Sequence, residues 1–328
     1  MSKYHTGRKG GAFKIFGKVI ASCYFIKRLN APKTLDNKIF SLHLGLSYAC
    51  NLMCKHCFVN RKLTTLSENK VLDIIDELDR HGLMYVTFTY GEPLLADDYY
   101  SVSRYLKDKH IVRVLMTNGT LVNEENYEKV GNSSEIIYVS IDHSNAHKHD
   151  ENRGINGSFS KAVKSIKLLK RVNANVGIAT TVTDNNVDSI DRIYSLAKEL
   201  EVRSISFLRE RRDGLIYKFN NERMYCDQIM NIIKSKDDPD PKLIIHDAKL
   251  NKSLKKLLDN HFIDYDQYLA SIDENRCMSC TTLSLEPNGD VRRCNISGKI
   301  LGNVYRNSIE EILEVNYENF SCIPTLSR

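Results

Sequence analysis

Strand-like and helix-like stretches alternate six times between about residues 38 and 210, and this alternation limits the fold more than any other feature of the chain. Ile39-Phe40-Ser41-Leu42-His43-Leu44, Tyr85-Val86-Thr87-Phe88, Ile111 to Met116, Ile136 to Asp142, Val176 to Val182 and Ser204 to Leu208 read as strands. Between them, Ser67 is expected to cap a helix carrying Val71, Ile74, Ile75 and Leu78 on one face, and further helices are expected near 97–108 and 158–171. Parallel strands need crossover connections, so the units predict an α/β fold with a parallel sheet and helices outside it. Polar, glycine-containing segments follow four of the strands, at the end where parallel barrels carry their active sites. The periodicity is satisfied equally by a partial barrel and by an open doubly wound sheet.

The first strand runs into Cys50, Cys54 and Cys57, a C-x3-C-x2-C spacing. Three thiols within eight residues can ligate three irons of a [4Fe–4S] cluster and leave the fourth iron open, or they can form part of a zinc knuckle. The chain has nine cysteines, an odd number, and seven of them fall into two clusters. That usage argues against a secreted disulfide framework and for metal ligation in a reducing, cytoplasmic compartment. With 328 residues the chain can bury one large α/β core and carry a smaller appendage.

Charge is unevenly placed. Lys3, Arg8, Lys9, Lys14, Lys18, Lys27, Arg28 and Lys33 all precede the first acid, Asp36, so against a total of +6 the remainder carries −2. Basicity therefore belongs to an N-terminal extension, residues 1–36, and no nucleic-acid partner is expected. Phe13, Phe16, Ile20 and Tyr24 recur there at helical spacing among lysines, a pattern that can lie on a membrane surface, cover the open face of the fold or form a packed helix. No run is long and apolar enough to span a bilayer.

The cysteine spacing resembles the signature of radical S-adenosylmethionine (radical SAM) enzymes, and the resemblance extends over residues 38–212. In that family the open iron of the cluster chelates SAM, whose reductive cleavage yields a 5′-deoxyadenosyl radical. Tyr90-Gly91-Glu92-Pro93 resembles the family's Gly-Gly-Glu-Pro motif, which holds the SAM amino group, with Tyr90 departing from the first glycine. By the same resemblance Gly91, Glu92, Asn118 and Ser140 contact SAM, and His56 takes the place of an aromatic residue that packs near the adenine. Arg153, in a segment similar to one of the SPASM/twitch branch, would clamp a carboxylate of SAM or of substrate. A surface salt bridge is the alternative for Arg153, and a plain turn for Asn118-Gly119. The implied core is a partial (β/α)6 TIM-like barrel over residues 37–214, followed by a helical linker over 215–270.

Cys277, Cys280 and Cys294 form C-x2-C-x13-C around the turn Pro287-Asn288-Gly289-Asp290, and Cys322 can be a fourth ligand. Zinc suits such a set as well as a cluster does. With Leu301-Gly302-Asn303-Val304, the region resembles a twitch/SPASM domain over 271–328, which implies a second, auxiliary [4Fe–4S] cluster. Full SPASM domains carry further cysteines, so one auxiliary cluster is expected here. The spacing is also similar to that of the GTP-cyclising enzyme of molybdopterin biosynthesis. Thr281-Thr282-Leu283-Ser284 stands where that enzyme has arginines, which makes GTP an unexpected substrate. Cys226 belongs to neither group; it is a helix-packing residue or, as in radical SAM epimerases, a hydrogen-atom donor.

The resemblance implies hydrogen-atom abstraction from a peptide or small natural product, completed by oxidation, crosslinking or epimerisation. It implies a flavodoxin- or ferredoxin-type reductant and, because fewer than forty residues precede the first strand, a separate leader-peptide-binding protein. The alternative is a non-catalytic iron–sulfur electron carrier or scaffold, which has no need of the Gly-Glu-Pro segment.

Overall fold

The computed structural model describes residues 39–59, 64–212, 215–216, 220, 222–235, 241–246, 282–293 and 300–318. The basic extension and Cys277, Cys280, Cys294 and Cys322 lie outside the described residues.

Six strands arise where the alternation places them: β1 (Ser41–Leu44), β2 (Tyr85–Phe88), β3 (Val112–Thr117), β4 (Ile136–Ser140), β5 (Val176–Val182) and β6 (Ser204–Arg209). Neighbouring strands pair in parallel in chain order. Leu42, Leu44, Val86, Phe88, Leu115, Ile137, Val139, Ile178, Ile205 and Phe207 point to one side, as the two-residue period of a strand requires. Helices α1 (Glu68–Arg80), α2 (Tyr99–Asp108), α3 (Tyr127–Gly131), α4 (Ala146–Arg153), α5 (Ser158–Arg171) and α6 (Ile190–Glu199) form the connections. Their buried positions, such as Val71, Ile74, Ile75 and Leu78 of α1, join that same core. Ser67 stands at the N-cap of α1 in extended conformation, but its hydroxyl makes no capping bond. The opposite sheet face carries a smaller cluster of Ile136, Tyr138, Ala179 and Ile244.

Two findings extend the six units. Within 215–270, after a short β7 (Arg211–Arg212)–β8 (Leu215–Ile216) ribbon, helix α7 (Glu222–Ser235) is followed by β9 (Lys242–His246), which pairs in parallel with β6. The stretch therefore adds a strand where the sequence reads as a helical linker; Leu243-Ile244-Ile245 is too short to announce itself beside its charged neighbours. Farther on, β10 (Thr282–Leu285) pairs in parallel with β1, and β11 (Asp290–Arg293) and β12 (Ile300–Asn303) follow antiparallel, with α8 (Ile309–Glu318) after them. The result is one 10-stranded sheet in the order β12-β11-β10-β1-β2-β3-β4-β5-β6-β9. The expected Pro287–Asp290 turn joins β10 to β11, so this hairpin continues the sheet past β1. Among the described residues no helix is long and apolar enough to cross a membrane.

Candidate active site

The loop after β1 carries Cys50, Cys54 and Cys57 as free thiols, the first two partly buried and the third exposed. It is held from two sides. The amides of Met53 and Lys55 donate to the carbonyls of Arg153 (3.0 Å) and Asn152 (2.8 Å), groups that the end of α4 leaves without intrahelical donors. Gly154 ends that helix in left-handed conformation, φ 75°, and a Cβ there would lie 2.6 Å from the Met53 carbonyl oxygen. On the other side the Glu92 amide donates to the Ala49 carbonyl at 2.7 Å. Gly91 has φ 52°, and a Cβ on it would come within 2.4 Å of that same carbonyl oxygen. The Gly-Glu-Pro glycine thus lets the β2 loop abut the cysteine loop.

Glu92 is buried. Its carboxylate accepts hydrogen bonds from Thr117 Oγ1 (2.7 Å), the Asn118 amide (2.7 Å) and the Leu94 amide (3.3 Å). Burial pushes its carboxyl up, against these bonds. The Asn118 side chain donates to Asn51 Oδ1 at 2.9 Å and accepts from the Thr120 amide and hydroxyl, so it ties the end of β3 to the cysteine loop. Ser140 ends β4, half-buried, at the same rim.

Two residues beyond Ser140, Asp142 gathers a buried network. Its Oδ2 lies 2.7 Å from Arg153 Nε, accepts from Asn152 Nδ2 at 2.8 Å and stands 3.9 Å from His56 Nδ1; its Oδ1 accepts from the Thr181 amide at 3.0 Å. Burial works to raise the Asp142 carboxyl, but Arg153 and the nearby histidines hold it down at about 2. Arg153 Nη1 in turn donates to Cys54 Sγ at 3.8 Å. Burial pushes the Cys54 thiol up while Arg153 opposes that shift. His56, lowered by burial, also hydrogen-bonds with Asn152 at 3.2 Å.

The structure therefore brings His56, Gly91, Glu92, Asn118, Ser140 and Arg153 to one rim with the three cysteines. Cys226 lies on α7 and its side chain is outside the described part. Sequence reasoning singles out the segments Thr117-Asn118-Gly119 and Ser140-Ile141-Asp142 without giving Thr117 or Asp142 a role of its own, and it gives none to Asn51 or Asn152. Asp142, read as the end of the fourth strand, lies two residues past it.

His149 Nδ1 accepts the Asp142 amide at 3.2 Å, which requires the neutral ring. Burial and Arg153 lower its pKa from 6.5 to about 4, so the unfolded chain takes up the proton first as pH falls. Stability is expected to be fully present above pH 6.5 and to drop by about 3 kcal/mol as pH falls toward 4. Urea denaturation at stepped pH measures this, and His149→Gln should flatten the decline.

The donor set fits an iron–sulfur cluster. Thiolates suit iron, and a cubane gives each thiol its own iron.

The rim lies in the part of the chain that resembles known proteins. Residues 45–197 match the model of the Radical SAM superfamily. The AdoMet-dependent heme synthase of Methanosarcina barkeri is 35% identical over 163 residues, 47% of this chain and 46% of that protein. The antilisterial bacteriocin subtilosin biosynthesis protein AlbA of Bacillus subtilis is 26% identical over 283 residues, 81% of this chain and 58% of that one. The chain thus spans about half the length of the curated relatives it matches. Streptococcus suis SuiB, solved with S-adenosylmethionine and with its precursor peptide SuiA, shares the fold: in the SAM-bound structure the TM-score is 0.66 at 17% identity, over 87% of this chain and 65% of SuiB. The partial barrel, rather than an open doubly wound sheet, is the architecture of such neighbours. The three thiols, the abutting Gly-Glu-Pro loop and the buried network all lie within the span that matches the Radical SAM superfamily.

Proposed function

We propose that this chain is a SPASM/twitch-type radical SAM enzyme that modifies a peptide or small natural product. The observation that carries the reading is the placement of three free thiols on a loop clamped between the end of α4 and the Gly-Glu-Pro turn. Cys50, Cys54 and Cys57 would hold a [4Fe–4S] cluster beside SAM, and the pair supplies a 5′-deoxyadenosyl radical when an electron arrives. Glu92, buried and pushed up, is a carboxylate that an incoming ammonium group would stabilise in its charged form. The Asp142–Arg153 pair fixes Arg153 at Cys54. Half-buried Ser140 offers a hydroxyl at the strand ends.

A peptide substrate is supported by AlbA, a bacteriocin biosynthesis protein, and by SuiB with its precursor peptide. A cytoplasmic site and a flavodoxin- or ferredoxin-type donor belong to the same reading, as does a separate leader-binding protein. Cys280 stands two residues before Thr282 and Cys294 one after Arg293, and Leu283 pairs with Arg293. The described ends of β10 and β11 that lead in sequence to these two cysteines are adjacent, which favours a joint auxiliary [4Fe–4S] site with Cys277 and Cys322. Iron analysis tests this. Wild type reconstituted under argon is expected to hold about eight irons, and Cys280→Ala about four, while still cleaving SAM at a reduced rate. Loss of all iron on Cys280→Ala, or no loss, would contradict the two-cluster reading.

A further inference from the structure

Tyr90 stands where the family motif has its first glycine, and it adopts φ 60°, a conformation that side-chain-bearing residues keep only when their surroundings hold them there. Its surroundings explain the retention. The ring is buried and lies edge-on to Tyr48 at 6.3 Å and to Phe58 at 6.4 Å. Gly45 makes room for it, since a Cβ there would lie 2.9 Å from Tyr90 Cδ2. The Tyr90 hydroxyl shares a 2.8 Å hydrogen bond with Ser284 Oγ, on fully buried β10.

Tyr48, two residues before Cys50, makes a parallel connection. Its hydroxyl donates to Glu286 Oε2 at 2.5 Å, and the other oxygen of Glu286 pairs with Arg292 of β11. Two phenols, one from the cysteine loop and one from the Gly-Glu-Pro turn, therefore end on the C-terminal hairpin.

We propose that Tyr90, seconded by Tyr48, is a positioning residue that locks the SAM-binding turn to the β10–β11 hairpin through Ser284 and Glu286. The Gly91-Glu92 turn follows Tyr90 directly, so a hairpin displaced from β1 moves the turn that faces the SAM amino group. The inference rests on the radical SAM reading. It also gives the departure from glycine a role: the phenol replaces backbone freedom with a tether.

The test is a SAM titration of the reduced, reconstituted full chain, followed by the change that SAM makes in the electron paramagnetic resonance spectrum of the cluster. Tyr90→Phe and Ser284→Ala are each expected to raise half-saturating SAM about threefold to tenfold, the equilibrium weight of one hydrogen bond. The double variant should titrate like either single one, because both remove the same bond. A change in packing alone would lower thermal stability and leave the SAM titration at its wild-type midpoint. Wild-type midpoints in both single variants, or additive shifts in the double, overturn the proposal. A wild-type spectrum that SAM does not alter overturns the radical SAM reading itself, and the proposal with it.

Discussion

Cys54→Ala protein, reconstituted anaerobically with iron and sulfide, is expected to lose the cluster at its first cysteine loop, about four irons per chain. Cys54 is the middle thiol of the set and the one that takes the Arg153 guanidinium, at 3.8 Å. Its removal leaves two thiols for three irons, and it leaves a buried cation facing a methyl group. The loop backbone should survive, because its anchors are the amides of Met53 and Lys55 rather than the thiol. Iron content, the brown chromophore and the SAM-dependent resonance signal should therefore fall together while secondary structure holds. A Cys54→Ala protein that keeps the SAM-dependent signal would contradict this ligand set.

Asp142→Ala is expected to have the largest effect on stability. The carboxylate is 1% exposed, offsets the Arg153 charge and accepts from Asn152 and the Thr181 amide. Deleting it leaves Arg153 buried without its ion-pair partner, a change that costs about 3–5 kcal/mol. That is a large part of the roughly 5–15 kcal/mol available to a domain. Asp142→Asn keeps the shape and two hydrogen-bonding atoms and should lose less. Urea midpoints of the three proteins, compared at constant pH above 6.5 so that His149 stays neutral, give the ranking. A loss below about 1 kcal/mol for Asp142→Ala would mean that the network does not hold the loop.

Much of the fold is legible because burial writes a strand into the sequence: the nearly fully buried Val176–Val182 as an apolar, β-branched run and Tyr85–Phe88 by alternation of buried and half-buried positions, both with the bounds that form, as is α5. Helix α4 is not. Its residues Ala146–Arg153 carry no apolar stripe, and it buries His149 and Arg153 instead. The polar network around Asp142 and the Asp150 bonds to the start of α5 hold that helix, and the Asp142 network joins residues from four separate stretches of chain. Strand β9 hid for a different reason: one additional parallel strand at a sheet edge needs few residues and little pattern.

The rim shows the same division. Local motifs named Cys50, Cys54, Cys57, Gly91 and Glu92, since each is set by what its neighbours in sequence must do. The internal partners of Arg153 and Asn118 are out of reach: Arg153 pairs with Asp142, and Asn118 bonds Asn51 and Thr120. A side chain's length and charge are written in the sequence, whereas its partners depend on tertiary distances.

A Cys50–Cys54–Cys57 loop that cleaves SAM with the turn beside it forms 5′-deoxyadenosine. The measurement to make is its formation by the reconstituted, dithionite-reduced protein given SAM, with Cys54→Ala carried alongside. Formation by wild type and none above background by Cys54→Ala is the predicted result. Equal formation by both proteins, or none by a wild type whose reduced cluster is intact, would contradict it.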